Sequence, residues 1–160
     1  MPLIDPATAP EKTASIYPPP WDSWMAGRRT LMLGRAGGLT QFGVNITILP
    51  PGGRSSLRHW HLNEDEFVMV LQGSLTLVTD TGEHPMNPGD CAAFPAGEAI
   101  GHTMLNRSDS EARFLVVGSR AAREVCTYTD VDLRVEMAPD QPPRFTRRDG
   151  SPLPPPEDRT

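Results

Sequence analysis

The stretch GRSSLRHWHLNEDEFVMVLQG, Gly53 to Gly73, decides how this chain is read. His59 and His61 stand one residue apart, and Glu66 follows five residues after the second, inside runs patterned like β-strands. Side chains two apart on a strand share a face. His59 and His61 therefore project together with Leu57, while Arg58 and Trp60 point the other way. In the next run Glu66, Val68 and Val70 occupy one face and Phe67, Met69 and Leu71 the other, with LNED (62–65) as the connection. Glu66 can thus face the same interior as the histidine pair. Further on, His102, Met104 and Asn106 share one face and can bring a third imidazole to that interior.

Three neutral imidazoles and one carboxylate suit Fe(II), Mn(II), Ni(II), Cu(II), Co(II) or Zn(II) better than calcium or magnesium, because nitrogen favours transition metals. Four protein ligands on an octahedral ion leave two positions for substrate oxygens or dioxygen. Alternation alone does not separate this arrangement from a half-exposed HxH surface pair. Nor does it separate Glu66 from one more charge in a solvated NEDE cluster.

Working outward, short β-branched and aromatic runs alternate with Gly, Pro, Asn and Asp punctuation: 42–49, 56–61, 66–73, 74–80, 83–86, 91–95, 102–107 and 112–120. DTGE at 80–83 and NPGD at 87–90 have the chemistry of tight turns. No run between them keeps helical spacing. This predicts an antiparallel all-β domain: a sandwich, a jelly roll or a closed barrel. The run TYTDVDLRVE (127–136) reads as a further strand, pairing with an edge or a neighbouring subunit. Prolines crowd residues 2–20 and 139–156, which excludes helices and central strands there and predicts extended arms packed on the body or on a second subunit. PLPPPEDRT (152–160) has the composition of a disordered tail.

At 160 residues the chain is the size of one domain: 1–160, with a barrel core of about 40–120 and arms at 1–30 and 137–160. A net charge of -5 and a pI near 5.3 argue against a nucleic-acid or anionic-membrane surface. The start, MPLIDPATAPEK, lacks a basic segment followed by an apolar one, and FVMVL is too short to span a bilayer. A soluble cytoplasmic protein is expected. Cys91 and Cys126 fit a reducing compartment as buried or idle thiols, with no zinc-clip or CxxC spacing.

The spacing of these residues resembles the cupin superfamily, whose first motif is G-x5-H-x-H-x3,4-E-x6-G and whose second is G-x5-P-x-G-x2-H-x3-N. Gly53, His59, His61, Glu66 and Gly73 meet every position of the first. Gly89, Pro95, Gly97, His102 and Asn106 meet the second, except that EAIG (98–101) puts four residues where the pattern has two. The match spans about a third of the chain. LGRAGGLTQFGVNITILPPG, SSLRHWHLNEDEFVMVLQG and FPAGEAIGH are also similar to compact bacterial single-domain cupins, some carrying a sugar-phosphate isomerase label. The resemblance implies a cupin-type double-stranded β-helix, a small jelly-roll barrel, with one divalent transition metal per chain (Zn, Mn, Fe or Ni) held by His59, His61, Glu66 and His102. Cupins generally pair, so a homodimer is expected, with the proline-rich arms and the outward Trp60 as the parts that need a partner.

Asn45 and Thr47 share a face of an otherwise apolar strand that either lines the barrel or meets water. With Val70, Phe94, Met104 and Asn106 they are the candidates for the substrate pocket. His84, beside a turn and a proline, reads as an exposed turn histidine. The expected function is a metal-dependent isomerase or lyase on a small oxygenated metabolite. The alternatives are an Fe(II) dioxygenase and a non-catalytic binding or sensor module. No catalytic base stands out, and no obvious lysine or arginine cluster between Gly53 and Asn106 offers a phosphate site.

Overall fold

The computed structural model describes residues 3–154 and contains thirteen strands. In chain order they are β1 (Glu11–Lys12), β2 (Arg29–Leu31), β3 (Phe42–Leu49), β4 (His59–His61), β5 (Glu66–Gln72), β6 (Leu75–Thr79) and β7 (Gly82–Met86). Then come β8 (Cys91–Phe94), β9 (His102–Leu105), β10 (Ala112–Ser119), β11 (Glu124–Tyr128), β12 (Arg134–Met137) and β13 (Arg144–Thr146). They form a six-stranded sheet, β1-β2-β3-β10-β5-β8, and a seven-stranded sheet, β13-β12-β11-β4-β9-β6-β7, all antiparallel. This is a jelly-roll arrangement, one of the three the strand pattern leaves open and the one the family resemblance implies, and among the described residues the one α-helix, α1, is the single turn Leu33–Ala36.

Period-two alternation explains what lies between the sheets. Leu49, Val68, Val70, Leu75, Leu77, Met86, Met104, Ala112 and Phe114 are the inward members of their strands and make one core cluster. Gly73, at the β5–β6 corner, has φ +74°, and an added Cβ would lie 3.0 Å from the Ala112 Cα and the Glu111 carbonyl oxygen. Conformation and space both require glycine there.

The run 127–136 is a hairpin, not one strand: β11 and β12 pair across a reversal closed by Tyr128 N–H donating to the Leu133 carbonyl at 3.1 Å. Aspartates at 130 and 132 break the alternation. The partner of β11 is the histidine strand itself, with Cys126 opposite His61 and Tyr128 opposite His59.

The arms fold onto the chain's own body. Met25, Leu57, Cys126, Tyr128, Leu133 and Val135 make a second core, with Tyr17, Trp21, Phe145 and Leu153 packed against it. These apolar residues of the two arms thus have partners within one chain, whereas Leu3 and Trp24 stay exposed. Proline does not keep all helical turns from the N-terminal arm: Pro6–Thr8 and Trp21–Met25 are short 3-10 turns. Pro6 takes the first position of its turn, where the missing N–H costs nothing, and Asp5 caps it by accepting from Ala7 N–H at 2.9 Å. Residues 155–160 of the proline-rich tail lie outside the described residues. Among the described residues no helix is long and apolar enough to cross a membrane.

Candidate metal centre

Strands β4, β5 and β9 bring the three histidines and Glu66 to one point. His59 on β4 lies directly opposite His102 on β9. Nε2 of His59 is 3.1 Å from Nε2 of His61, which lies 3.3 Å from a Glu66 oxygen; the other Glu66 oxygen is 3.7 Å from Nε2 of His102. One ligand atom from each of His59, Glu66 and His102 falls within 4.8 Å of the others, a spread that one ion could bridge.

The hydrogen bonds aim these nitrogens. His59 Nδ1 lies 2.9 Å from the Leu57 carbonyl, which can only accept, so Nδ1 carries the proton and Nε2 presents its lone pair to the cluster. His61 is oriented from behind: its Nδ1 is 3.2 Å from Cys126 Sγ and 3.7 Å from a Glu124 oxygen. Glu124 is buried and fixed by accepting from Leu62 N–H at 2.8 Å and Asn63 N–H at 3.0 Å. His102 is 3 % exposed and stacks on Phe94, ring centroids 3.6 Å apart, yet neither of its ring nitrogens has a hydrogen-bond partner. A buried imidazole left this way is costly, and an ion on Nε2 would satisfy it. The residues present therefore fit a transition metal.

Burial first, then the neighbouring His102 and His61, pushes the His59 imidazole down to about 3. Burial would also lower His61, but its contacts with Cys126 and Glu66 outweigh that and raise it to about 11. For Glu66 burial works toward a higher value and is overcome by His102 and His61, which hold the carboxyl well below its usual range. The Cys126 thiol is pushed up by burial. The cluster therefore pairs a carboxylate with one basic imidazole, and an ion would take the place of the proton on His61 Nε2.

Two further groups of potential ligands are less apt. Cys126 meets His61 at Nδ1, the nitrogen facing away from Glu66, so one ion cannot join the thiol to the set that includes Glu66. Glu64 and Glu124, grouped with His61, are engaged with backbone: Glu64 accepts from Ala121 N–H at 2.9 Å. NEDE is accordingly no loose solvated cluster. Asp65 accepts from Ala96 N–H at 2.8 Å and anchors the loop leading to β9.

The two extra residues of EAIG are absorbed in that loop. Gly97 N–H donates to the His61 carbonyl at 2.9 Å and Gly101 N–H to an Asp80 carboxylate oxygen at 2.7 Å. Asp80 is itself 3.4 Å from the Arg58 guanidinium, whose Nε donates to Thr129 Oγ1 at 2.9 Å. Gly101 leaves no room for a Cβ, which would overlap the Thr129 side chain. His102 thus enters β9 in register, opposite Thr79 on one side and His59 on the other.

The cluster opens on a cavity of about 150 Å³ lined by Thr47, Ser55 and Ser56 and by Val68, Phe94, Met104, Phe114 and Val116. Of the pocket candidates, Thr47, Phe94 and Met104 line this cavity. Val70 packs in the core instead, one inward position too far along β5. Asn106 is spent on the fold: its amide nitrogen lies 2.8–3.0 Å from the carbonyls of Leu49, Pro50 and Ser110, and Oδ1 accepts from Ser108 N–H. Asn45 pairs with Val116 in register but does not line the cavity. His84 is exposed, as expected, but within β7 opposite Leu77, and lines a wider outer groove of about 380 Å³ with Glu98 and Thr79. Phe94 is the residue common to groove and cavity. The sequence reading missed Glu124, Cys126 and Tyr128. Their i, i+2, i+4 spacing in EVCTY was the available signal, but their place beside the histidines depends on a long-range register.

The family model described as a cupin domain matches residues 45–118. A crystal structure of a sugar phosphate isomerase from a cupin superfamily, from Silicibacter pomeroyi, is 52 % identical over 96 % of this chain and 97 % of that one, with a TM-score of 0.93. A provisional sugar phosphate isomerase from Acidithiobacillus ferrooxidans is 28 % identical over 80 % of this chain and 81 % of its own, with a TM-score of 0.72. The polyketide cyclase RemF from Streptomyces resistomycificus shares the fold at 24 % identity, covering 74 % of this chain and 79 % of its own with a TM-score of 0.59. No curated protein matches the chain.

Proposed function

Because this chain belongs to the cupin superfamily, we propose that it is a metal-dependent isomerase or lyase acting on a small oxygenated metabolite, with one divalent transition metal held by His59, His61, Glu66 and His102. The observation that carries this reading is the convergence of His59, Glu66 and His102 on one cavity, with His61 against Glu66 behind it and neither nitrogen of buried His102 holding a hydrogen-bond partner. When bound, the ion acts as a Lewis acid that polarises a carbonyl or hydroxyl oxygen. The chain's own residues bind and orient the substrate. Thr47, Ser55 and Ser56 supply the hydrogen-bonding wall, and Val68, Phe94, Met104, Phe114 and Val116 exclude water from the rest. The Silicibacter protein's name supports an isomerase over the other reactions open to this ligand set. The test is isomerisation of a panel of aldoses, ketoses, their phosphates and hydroxy acids by protein loaded with Zn, Mn, Fe or Ni. Turnover that disappears in His102→Ala supports the reading, and no turnover over the panel with any of these metals contradicts it.

Glu124 and Cys126 orient His61 in this account. Glu124→Gln is expected to weaken metal binding by about 10- to 100-fold. Competition with a chromophoric chelator reads this directly, beside a circular dichroism spectrum to check that the fold is kept.

A homodimer is part of the proposal, on grounds other than the arms and Trp60. The outer face of the six-stranded sheet carries two cross-strand rows, Leu31–Ile46–Leu115–Met69 and Val44–Val117–Phe67, none of them fully buried. Such a face fits pairing with a second copy of the chain. Phe67→Glu with Leu71→Glu is expected to shift the light-scattering mass at micromolar concentration from twice the chain mass to the chain mass. A wild-type protein that is already monomeric removes the dimer from the account. The two free cysteines, one exposed, fit a reducing cytoplasm.

A further inference from the structure

The N-terminal arm sets Arg28 against a residue of the cavity wall and Lys12 on the same side of the sheet, and among the described residues no carboxylate pairs with either. Arg28 donates from Nη1 to the carbonyl oxygen of Ser55, and Ser55 lines the cavity. Lys12 lies on the same side of its sheet. It is paired with Thr30, Thr30 with Thr47, and Thr47 with Phe114, and residues directly opposed across strands share a face. Thr47 and Phe114 both line the cavity.

Among the described residues neither Arg28 nor Lys12 enters an ion pair. The contrast with the neighbouring arginine is informative: Arg29 reaches both Glu11 and Glu111. Lys12 is exposed on its edge strand, yet partial burial and then the nearby Arg28 charge lower its ammonium, as expected of two cations sharing one region without a counter-ion. Burial likewise lowers Arg28. A guanidinium has five N–H donors in a fork suited to phosphate, and the Ser55 carbonyl uses only part of that capacity. Beside that carbonyl the Ser55 side chain joins a hydroxyl cluster: its Oγ is 3.2 Å from Ser56 Oγ and 3.3 Å from Thr103 Oγ1. Ser56 shares the cavity wall with His59, Glu66 and His102.

We propose that Arg28 and Lys12 form an anion subsite at the flank of this cavity, which takes the phosphate of a phosphorylated oxygenated substrate whose other end reaches the histidine cluster. The identity of the substrate rests on the enzyme reading above; the existence of the subsite does not. Phosphate is favoured over carboxylate because a group carrying close to two negative charges matches two cations. The subsite also answers the objection that Gly53 to Asn106 lacks a basic cluster: the cations come from before that span and arrive by strand pairing.

The test uses full-length protein stripped of metal by a chelator, so that phosphate cannot bind through an ion. Inorganic phosphate is titrated and followed by phosphorus-31 line broadening, with acetate as the carboxylate probe, on wild type, Arg28→Gln, Lys12→Gln and His59→Ala/His61→Ala. Wild type is expected to saturate with phosphate, Arg28→Gln to bind at least about tenfold more weakly and Lys12→Gln several-fold more weakly. The histidine double variant is expected to stay within about twofold of wild type, since the subsite lies outside the ligand set. Lys12 is exposed, so its replacement leaves a folded comparison even if Arg28→Gln does not fold. Phosphate affinity unchanged in both single-cation variants, or no saturation of wild type, overturns the subsite, and acetate binding as tightly as phosphate overturns the phosphate assignment. Phosphate binding that depends on Arg28 in a protein without isomerase activity would uphold the subsite while the enzyme reading failed. Turnover of sugars with a KM indifferent to phosphorylation and to Arg28 would do the reverse.

Discussion

His102→Ala is expected to weaken divalent-metal binding by more than about 100-fold, beyond the range for losing a residue that merely orients a ligand. The grounds lie in the surroundings of His102. It is 3 % exposed, stacked on Phe94, opposite His59 in register, and without a hydrogen-bond partner on either nitrogen. A histidine kept only for packing would be replaceable by an apolar residue, so His102→Leu is the useful companion. If the imidazole is there to bind an ion, both variants lose metal while His102→Leu keeps its urea midpoint in the metal-free state. Metal binding that survives in both variants would remove His102 from the ligand set.

Leu133→Ala is expected to cost about 2–5 kcal/mol, the range for deleting a large aliphatic side chain from a packed core. Leu133 is fully buried where Tyr17 and Trp21 from one arm and Phe145 and Leu153 from the other meet the β11–β12 hairpin. The same cluster includes Cys126 and Tyr128, which lie against His61 and His59. The arms therefore back the histidine strand, and loosening them should reach the site. Urea unfolding gives the stability change, and limited proteolysis shows whether the arms are released first. A loss below about 1 kcal/mol, outside that range, would mean that the arms contribute little to the body's stability.

What the sequence made legible follows from which interactions are local. The parity of a strand is a local property, so His59 with His61, Glu66 with Val68, and His102 with Met104 were placed on their faces by counting residues. The motif glycines and prolines were legible because turns have few chemical solutions. Distance along a face was harder: Thr47 and Asn45 share one side of β3, but only Thr47 lies deep enough to line the cavity. Asn106 has the right parity and the wrong task, because its amide joins the Pro50 and Ser110 segments rather than facing the cavity.

Long-range register was not legible at all. Nothing near Glu124 and Cys126 says that their strand will pair with β4, and nothing near Lys12 and Arg28 says that β1 and β2 will extend the sheet from β3. The hairpin at 129–133 turned one apparent strand into two and set β12 beside β11, the strand that pairs with the histidines. These pairings are chosen by which apolar surfaces remain to be covered, a property of the whole chain.

If this cluster holds a metal, the metal content of the purified protein shows it. Full-length protein prepared without a histidine tag, dialysed and measured by inductively coupled plasma mass spectrometry, is expected to carry about one transition-metal ion per chain, or to take up one from Zn, Mn, Fe or Ni on reconstitution. The His59→Ala/His61→Ala control should carry almost none. Wild-type protein that stays metal-free after reconstitution with each of these ions, or a control that binds as much as wild type, would contradict the account.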